Sequence, residues 1–170
     1  MTDSPARIQY FIASLNACAW YRCITPGHAL SERGHFVRVD DTLTQELVDA
    51  ADVVVFQRLH DPMVLDAIRY AKQTGKLAVY ELDDDLWHIH RDSGAYDFYA
   101  QPGVLGVIEQ AVRSCELVTT TTPALASRLK SLNRATRVLP NMLPDRYWKF
   151  DEPVPQSDDR IVIGWAGSNT

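Results

Sequence analysis

Between Asp52 and Gln57 the chain reads Val53-Val54-Val55-Phe56, an apolar run with no polar residue interleaved. A strand of this kind has no face to give to solvent, so it must be covered on both sides, as the central strand of a parallel sheet is. Parallel neighbours in turn require crossover connections, usually helices. The rest of the chain supplies that alternation. Ile8–Ala13, Phe36–Val39, Leu77–Leu82, Leu117–Thr120 and Arg137–Leu139 read as further strands, with amphipathic segments between them. The expected fold class is therefore α/β, a Rossmann-like doubly wound parallel sheet.

The helical segments carry their own punctuation. Asp61-Pro62 is a capping residue followed by a proline suited to a first turn, and Val64, Leu65, Ile68 and Ala71 then share one face, with Gly75 as the stop. Thr122-Pro123 repeats the device ahead of Leu125, Leu129 and Leu132, and Val104–Cys115 offers Leu105, Ile108, Ala111 and Val112. Thr42 to Gln45 has the spacing of a capping box ahead of Leu47 and Val48.

Residues 1–150 account for one such domain. Residues 151–159, DEPVPQSDD, combine prolines and acids with almost nothing to bury, the composition of a linker. Ile161-Val162-Ile163 then resembles a new buried strand entering a turn with Gly164, Gly167 and Ser168, so residues 160–170 are expected to open a second domain. The net charge of −5 argues against a nucleic-acid surface as the main function. No apolar stretch reaches the ~20 residues of a bilayer span, and no secretory signal is evident. Cys18, Cys23 and Cys115 lack redox or zinc spacing and fit small buried hydrophobes in a reducing cytosol.

In a doubly wound sheet, function gathers at the carboxyl ends of the strands. The turn after the first strand lacks G-x-G-x-x-G, which removes most of the case for a dehydrogenase, but it carries Arg22, able to clamp a phosphate or to pair with an acid. After the third strand come Arg58, His60 and the capping Asp61. After the fourth come Asp83-Asp84-Asp85, whose mutual repulsion points to a cation, a cationic partner or proton transfer. Mg²⁺ coordination and general-base chemistry are both open there, as is the plainer reading of one cap, one ion pair and one solvated acid. His88 and His90 have the spacing of a metal pair on a strand, which a turn does not guarantee. The threonines at 119–122 end the fifth strand, and Asn141 follows the sixth.

Taken in order, several segments resemble one family. Tyr21-Arg22 with Pro26, Asp52–Arg58, Val79–Leu86 with its DDDL, Leu117–Thr122, Val138–Asn141 and Ile163–Ser168 together look like group 1 glycosyltransferases of the two-Rossmann-domain architecture, bacterial and phage members above all. The resemblance implies that residues 1–150 receive the acceptor and that a second domain holds a nucleotide-sugar donor. It implies Gly164, Gly167 and Ser168 facing the donor phosphates. No bound cofactor or required metal is implied, the nucleotide-sugar being a co-substrate. The acceptor class (glycan, lipid-linked, protein or modified nucleic acid) stays open. Many relatives carry a histidine-containing segment after the fourth strand, whereas this chain has Asp83–Asp85 there and His88 only afterwards. The expected catalytic groups are Asp84 and Asp85, with Asp83 nearer the strand. Arg22, Arg58, His60 and Asn141 are expected to bind acceptor or phosphate. Two other readings stand beside this one: a non-catalytic binding or assembly domain, and a Mg²⁺-dependent phosphoacceptor module. The latter needs acids near the ends of the first and third strands and a lysine late in the chain, and the first strand ends in Ala13-Ser14 instead.

Overall fold

A computed structural model of the chain describes residues 4–145. The expected linker and the Gly164, Gly167 and Ser168 loop lie outside the described residues. Six strands form one all-parallel sheet: β1 (Arg7–Ile12), β2 (Phe36–Asp40), β3 (Val53–Gln57), β4 (Leu77–Leu82), β5 (Leu117–Thr120) and β6 (Thr136–Val138), in the spatial order β2-β1-β3-β4-β5-β6. The fold class expected from the sequence is the one observed, a Rossmann-like doubly wound sheet. The order reverses between β1 and β3, so the crevice that such sheets use for ligands opens beyond the ends of those two strands.

The apolar run of β3 does what its composition requires. Val54 and Phe56 face one layer with Phe11, Ala78, Tyr80 and Leu82, and are covered by α4 (Met63–Gln73), α6 (Val104–Ser114) and α7 (Pro123–Leu129) through Ile68, Ile108 and Leu129. Val55 faces the other layer with Tyr10, Ile12 and Val79, against Ala19 and Cys23. Phe11 and Phe56 lie opposite each other in register and stack at 6.0 Å between ring centroids.

Asp61 accepts from the Met63 N–H at 2.9 Å, and Thr122 caps α7 by accepting from Leu125 N–H at 3.2 Å. Gly75, at φ +76°, ends α4 as the N–H of Lys76 folds back to the Ala71 carbonyl at 2.8 Å. The capping box at Thr42 is replaced by a simpler device. Thr44 is the cap of α3 (Gln45–Asp49), accepting from Leu47 N–H at 3.4 Å. Leu132 falls beyond the end of α7 and packs on the core half-buried.

The largest departure from the sequence reading is after β1. A helix begins there at once: α1 (Ala17–Ala19), capped by Asn16, runs through a π-helical turn, Trp20–Ile24, into α2 (Thr25–Glu32). Such turns within helices are frequent at functional sites because the wider turn re-aims side chains. Here it directs Arg22 and Cys23 into the protein. Among the described residues, no helix is long and apolar enough to cross a membrane.

Candidate functional site

Arg58 is the first residue past β3, beside the crevice, and its backbone adopts φ +54°. A non-glycine residue in the left-handed region costs on the order of 1–3 kcal/mol and persists where surroundings over-determine it. The surroundings here are explicit. The Arg58 N–H donates to the Glu81 carbonyl at 3.1 Å. Its guanidinium reaches three elements: Nη2 donates to the Tyr99 hydroxyl at 2.7 Å, while Nη1 donates to Cys18 Sγ at 3.1 Å and to Asp84 Oδ2 at 3.4 Å. Asp83 Oδ1 is 3.6 Å from the same Nη1. One cation thus ties the start of α1, the acidic turn after β4, and α5 (Tyr96–Tyr99).

This arrangement decides how the acids behave. Cys18, Asp83 and Asp84 present ligand atoms within 4.8 Å of one another, a spacing a metal ion could bridge. The Arg58 guanidinium already occupies that position, so a metal would have to displace it. Asp83 is largely buried, with its backbone carbonyl accepting from Thr121 Oγ1 at 2.9 Å. The Asp84 side chain is 60% exposed. Desolvation and the neighbouring Asp83 raise the Asp84 carboxyl above its ordinary value, with Arg58 pulling the other way. Burial and a hydrogen bond to Asp83 push the Cys18 thiol up to about 12, so it stays protonated.

Asp85 belongs to a different cluster. It is 2.8 Å from His88 Nδ1 and 3.5 Å from Arg128 Nε, and the Arg128 guanidinium lies over the Trp87 ring at 5.1 Å. Arg128 Nη1 also comes within 2.6 Å of His88 Nδ1, so Asp85 and Arg128 place opposite demands on one ring nitrogen, a proton for the carboxylate and a lone pair for the guanidinium. His90 meets Asp92 instead, at 3.4 Å, so the two histidines have separate partners. The three consecutive aspartates are divided between two sites. They do not converge on one ion.

Arg22 and Asn141 have an occupation other than phosphate binding. Arg22 is 1% exposed. Its Nε donates to Glu81 Oε1 at 2.7 Å, and its Nη1 donates to the Leu139 carbonyl and, at 3.0 Å, to Asn141 Oδ1. It fastens the π-helical turn to β4 and to the segment leaving β6. Of the acids that the sequence offers Arg22, its partner is Glu81, and Arg58 alone of the two arginines reaches Asp83 and Asp84. Burial raises the Glu81 carboxyl above its ordinary range, opposed by the Arg22 charge. His60 does join the Arg58 site, with Nδ1 3.3 Å from the Arg58 carbonyl and its ring edge-on to Phe98 at 4.8 Å.

The residues the sequence reading did not single out are Cys18, Glu81, Phe98, Tyr99 and Arg128. A signal existed for Glu81. It sits in an apolar strand two residues after Val79, hence on the same buried face. For Phe98, Tyr99 and Arg128 the sequence offers no such signal, because chain separations of about forty residues and a short helix bring them to the site. No family model matches this chain, and no curated protein matches it.

Proposed function

We propose that this chain is the acceptor-side domain of a cytoplasmic glycosyltransferase that moves a sugar from a nucleotide-sugar donor to an acceptor hydroxyl. The reading starts from the ordered resemblance of the strand-end segments, and one observation in the fold supports it. Asp84 is a solvent-reaching carboxylate beside the β1/β3 crevice, held by an arginine whose backbone is strained to reach it. In this reading Asp84 accepts the proton of the acceptor hydroxyl as that oxygen bonds to the donor's anomeric carbon and the nucleotide leaves. The raised carboxyl makes it a better base than an ordinary aspartate, and Arg58 positions it. Asp85, shared between His88 and Arg128, becomes a positioning group for the wall of the site. A phosphoacceptor module finds no support, since β1 and β3 are followed directly by Ala13 and Arg58, where such a module needs acids.

The test is sugar transfer by the full-length protein with a panel of nucleotide-sugars, comparing wild type with Asp84→Asn. The substitution is expected to lower kcat by ~10²–10⁴, the ordinary worth of positioned proton transfer. Full activity in Asp84→Asn removes the assignment, and no turnover of any donor by wild type removes the transferase reading.

A further inference from the structure

The acidic turn after β4 is held from two sides. Arg58, at the end of β3, takes Asp83 and Asp84, and Arg128, on α7, takes the next residue, Asp85. The second attachment contains a choice that the first lacks. A short helical turn, Leu86–His88, returns the His88 N–H to the Asp85 carbonyl at 3.1 Å, which keeps the imidazole beside the Asp85 carboxylate. Nδ1 of that ring lies 2.8 Å from Asp85 Oδ2 and 2.6 Å from Arg128 Nη1. It serves the guanidinium only as a lone pair and the carboxylate only as an N–H. The neutral ring can take either role through its two tautomers. The imidazolium carries a proton on both nitrogens and can only donate.

Arg128 has a second acceptor close at hand. Asp85 Oδ1 is buried and has no hydrogen-bond partner among the described residues, and Arg128 Nε stands 3.5 Å from it. A movement of about half an ångström would bring that N–H to an ordinary bonding distance. A buried oxygen without a donor is costly, so this seat is favourable once the guanidinium is free to take it. The movement has a built-in witness, because the guanidinium carbon lies 5.1 Å from the centre of the Trp87 ring. Among the described residues, the charged groups in contact with the His88 ring are Asp85 from its own turn and Arg128 from α7. His90 turns to Asp92 instead.

We propose that His88 is a pH-sensitive latch between the acidic turn and α7. The neutral imidazole accepts from Arg128 through Nδ1. Protonation from solvent, which reaches this exposed ring, commits the Nδ1–H to Asp85 Oδ2 and passes Arg128 to Asp85 Oδ1. In the acid form each oxygen of Asp85 has its own donor, whereas in the alkaline form Oδ1 has none. Histidine is the side chain whose charge ordinarily changes between pH 5 and 8, so the exchange falls in that window. It takes place one residue from Asp84 and changes how the turn that carries Asp84 is fastened to the helix layer. The latch stands on these contacts alone and does not depend on the transferase reading.

The experiment is an NMR titration of the full chain between pH 5 and 8, following the His88 ring nitrogens, the Arg128 Nε–H and the Trp87 indole N–H. The three signals should move with one midpoint, the Arg128 Nε–H going downfield as the pH falls and its bond to Asp85 forms. His88→Gln should remove the pH dependence of the other two. Asp85→Asn should lower the His88 midpoint by about half a pH unit, because the imidazolium loses its carboxylate. Arg128→Gln should raise it by about as much, because the ring loses a like charge and the donor that held its lone pair. Shifts of opposite sign separate a latch from a surface cluster that merely supports the turn. Thermal melts identify any variant that fails to fold, and the wild-type titration with either remaining variant still decides. An Arg128 Nε–H that does not follow His88, a pH dependence that persists in His88→Gln, or His88 midpoints that stay put or move in one direction overturn the latch.

Discussion

Arg22 and Arg58 each meet carboxylates at the end of β4, Glu81 in the first case and Asp83 with Asp84 in the second. Glu81 lies within the strand, so its partner must come from the covering helix, and both side chains are almost wholly buried. Asp83 and Asp84 lie just past the strand, so their partner comes from the neighbouring strand end and the group stays open to solvent on the Asp84 side. A shift of a few residues along one chain segment separates an internal fastening from a reachable site. The buried pair bonds only to the protein's own groups, and Arg22 Nη2 and Glu81 Oε2 are left without a partner among the described residues. The open pair keeps one carboxylate available.

The comparison breaks most visibly at Arg22. Arg22→Met leaves Glu81 in the interior without its cation and should destabilise the fold by roughly 3–5 kcal/mol, read from the urea midpoint. Arg22→Met combined with Glu81→Leu should recover much of that loss, because apolar groups replace a buried pair at little net cost. If the single variant melts like wild type, the two arginines are alike and the contrast is wrong.

Next in size is a pH effect. The folded-state pKa of Glu81 is raised above its ordinary 4.5, so the folded protein holds that proton more tightly than the unfolded chain. Its contribution to stability is complete below 4.5 and is lost as pH climbs through the raised value. Glu81→Gln should flatten this decline between pH 5 and 8 in denaturant titrations. An unchanged profile means that Glu81 does not titrate in this range.

Arg58 sharpens the comparison from the other side. Arg58→Ala keeps the unfavourable backbone geometry and loses the ion pairs, whereas Arg58→Gly loses the ion pairs and relieves the backbone. The glycine variant should be the more stable of the two by about 1 kcal/mol. The reverse order would mean that the positive φ carries no strain. The smallest effect is expected at Asp84 itself. Asp84→Asn should change stability by less than about 0.5 kcal/mol, since it is exposed and its pairing is screened. A larger loss would make it a structural group like Glu81.

Much of the scaffold was legible because it rests on local rules. The six strands were placed within a residue or so, since a run such as Val53–Phe56 can satisfy its burial in one way only. The openings at Asp61 and Thr122 and the stop at Gly75 followed from residues whose chemistry acts on the adjacent backbone. The site was legible only as a set of strand ends. Position at the strand ends singles out Arg58, His60 and the aspartates together with Arg22 and Asn141, and the structure shows the last two hydrogen-bonded to each other. A side chain's direction was the missing quantity, and for Arg22 it is set by the π-helical turn, which leaves no mark in residue type.

The sequence by itself determined the layering, the parallel sheet, and the acids and arginines at its carboxyl edge. Hydrophobic periodicity and turn chemistry act over a few residues and need nothing from afar. Tertiary structure alone decided the partners: Glu81 with Arg22, Asp84 with Arg58, and Asp85 with His88 and Arg128. These pairings join groups up to fifty-nine positions apart, and they depend on strand order and helix geometry. An ion pair forms where the packed backbone brings two charges within a few ångströms, and the core that sets those distances is itself built from every element of the chain.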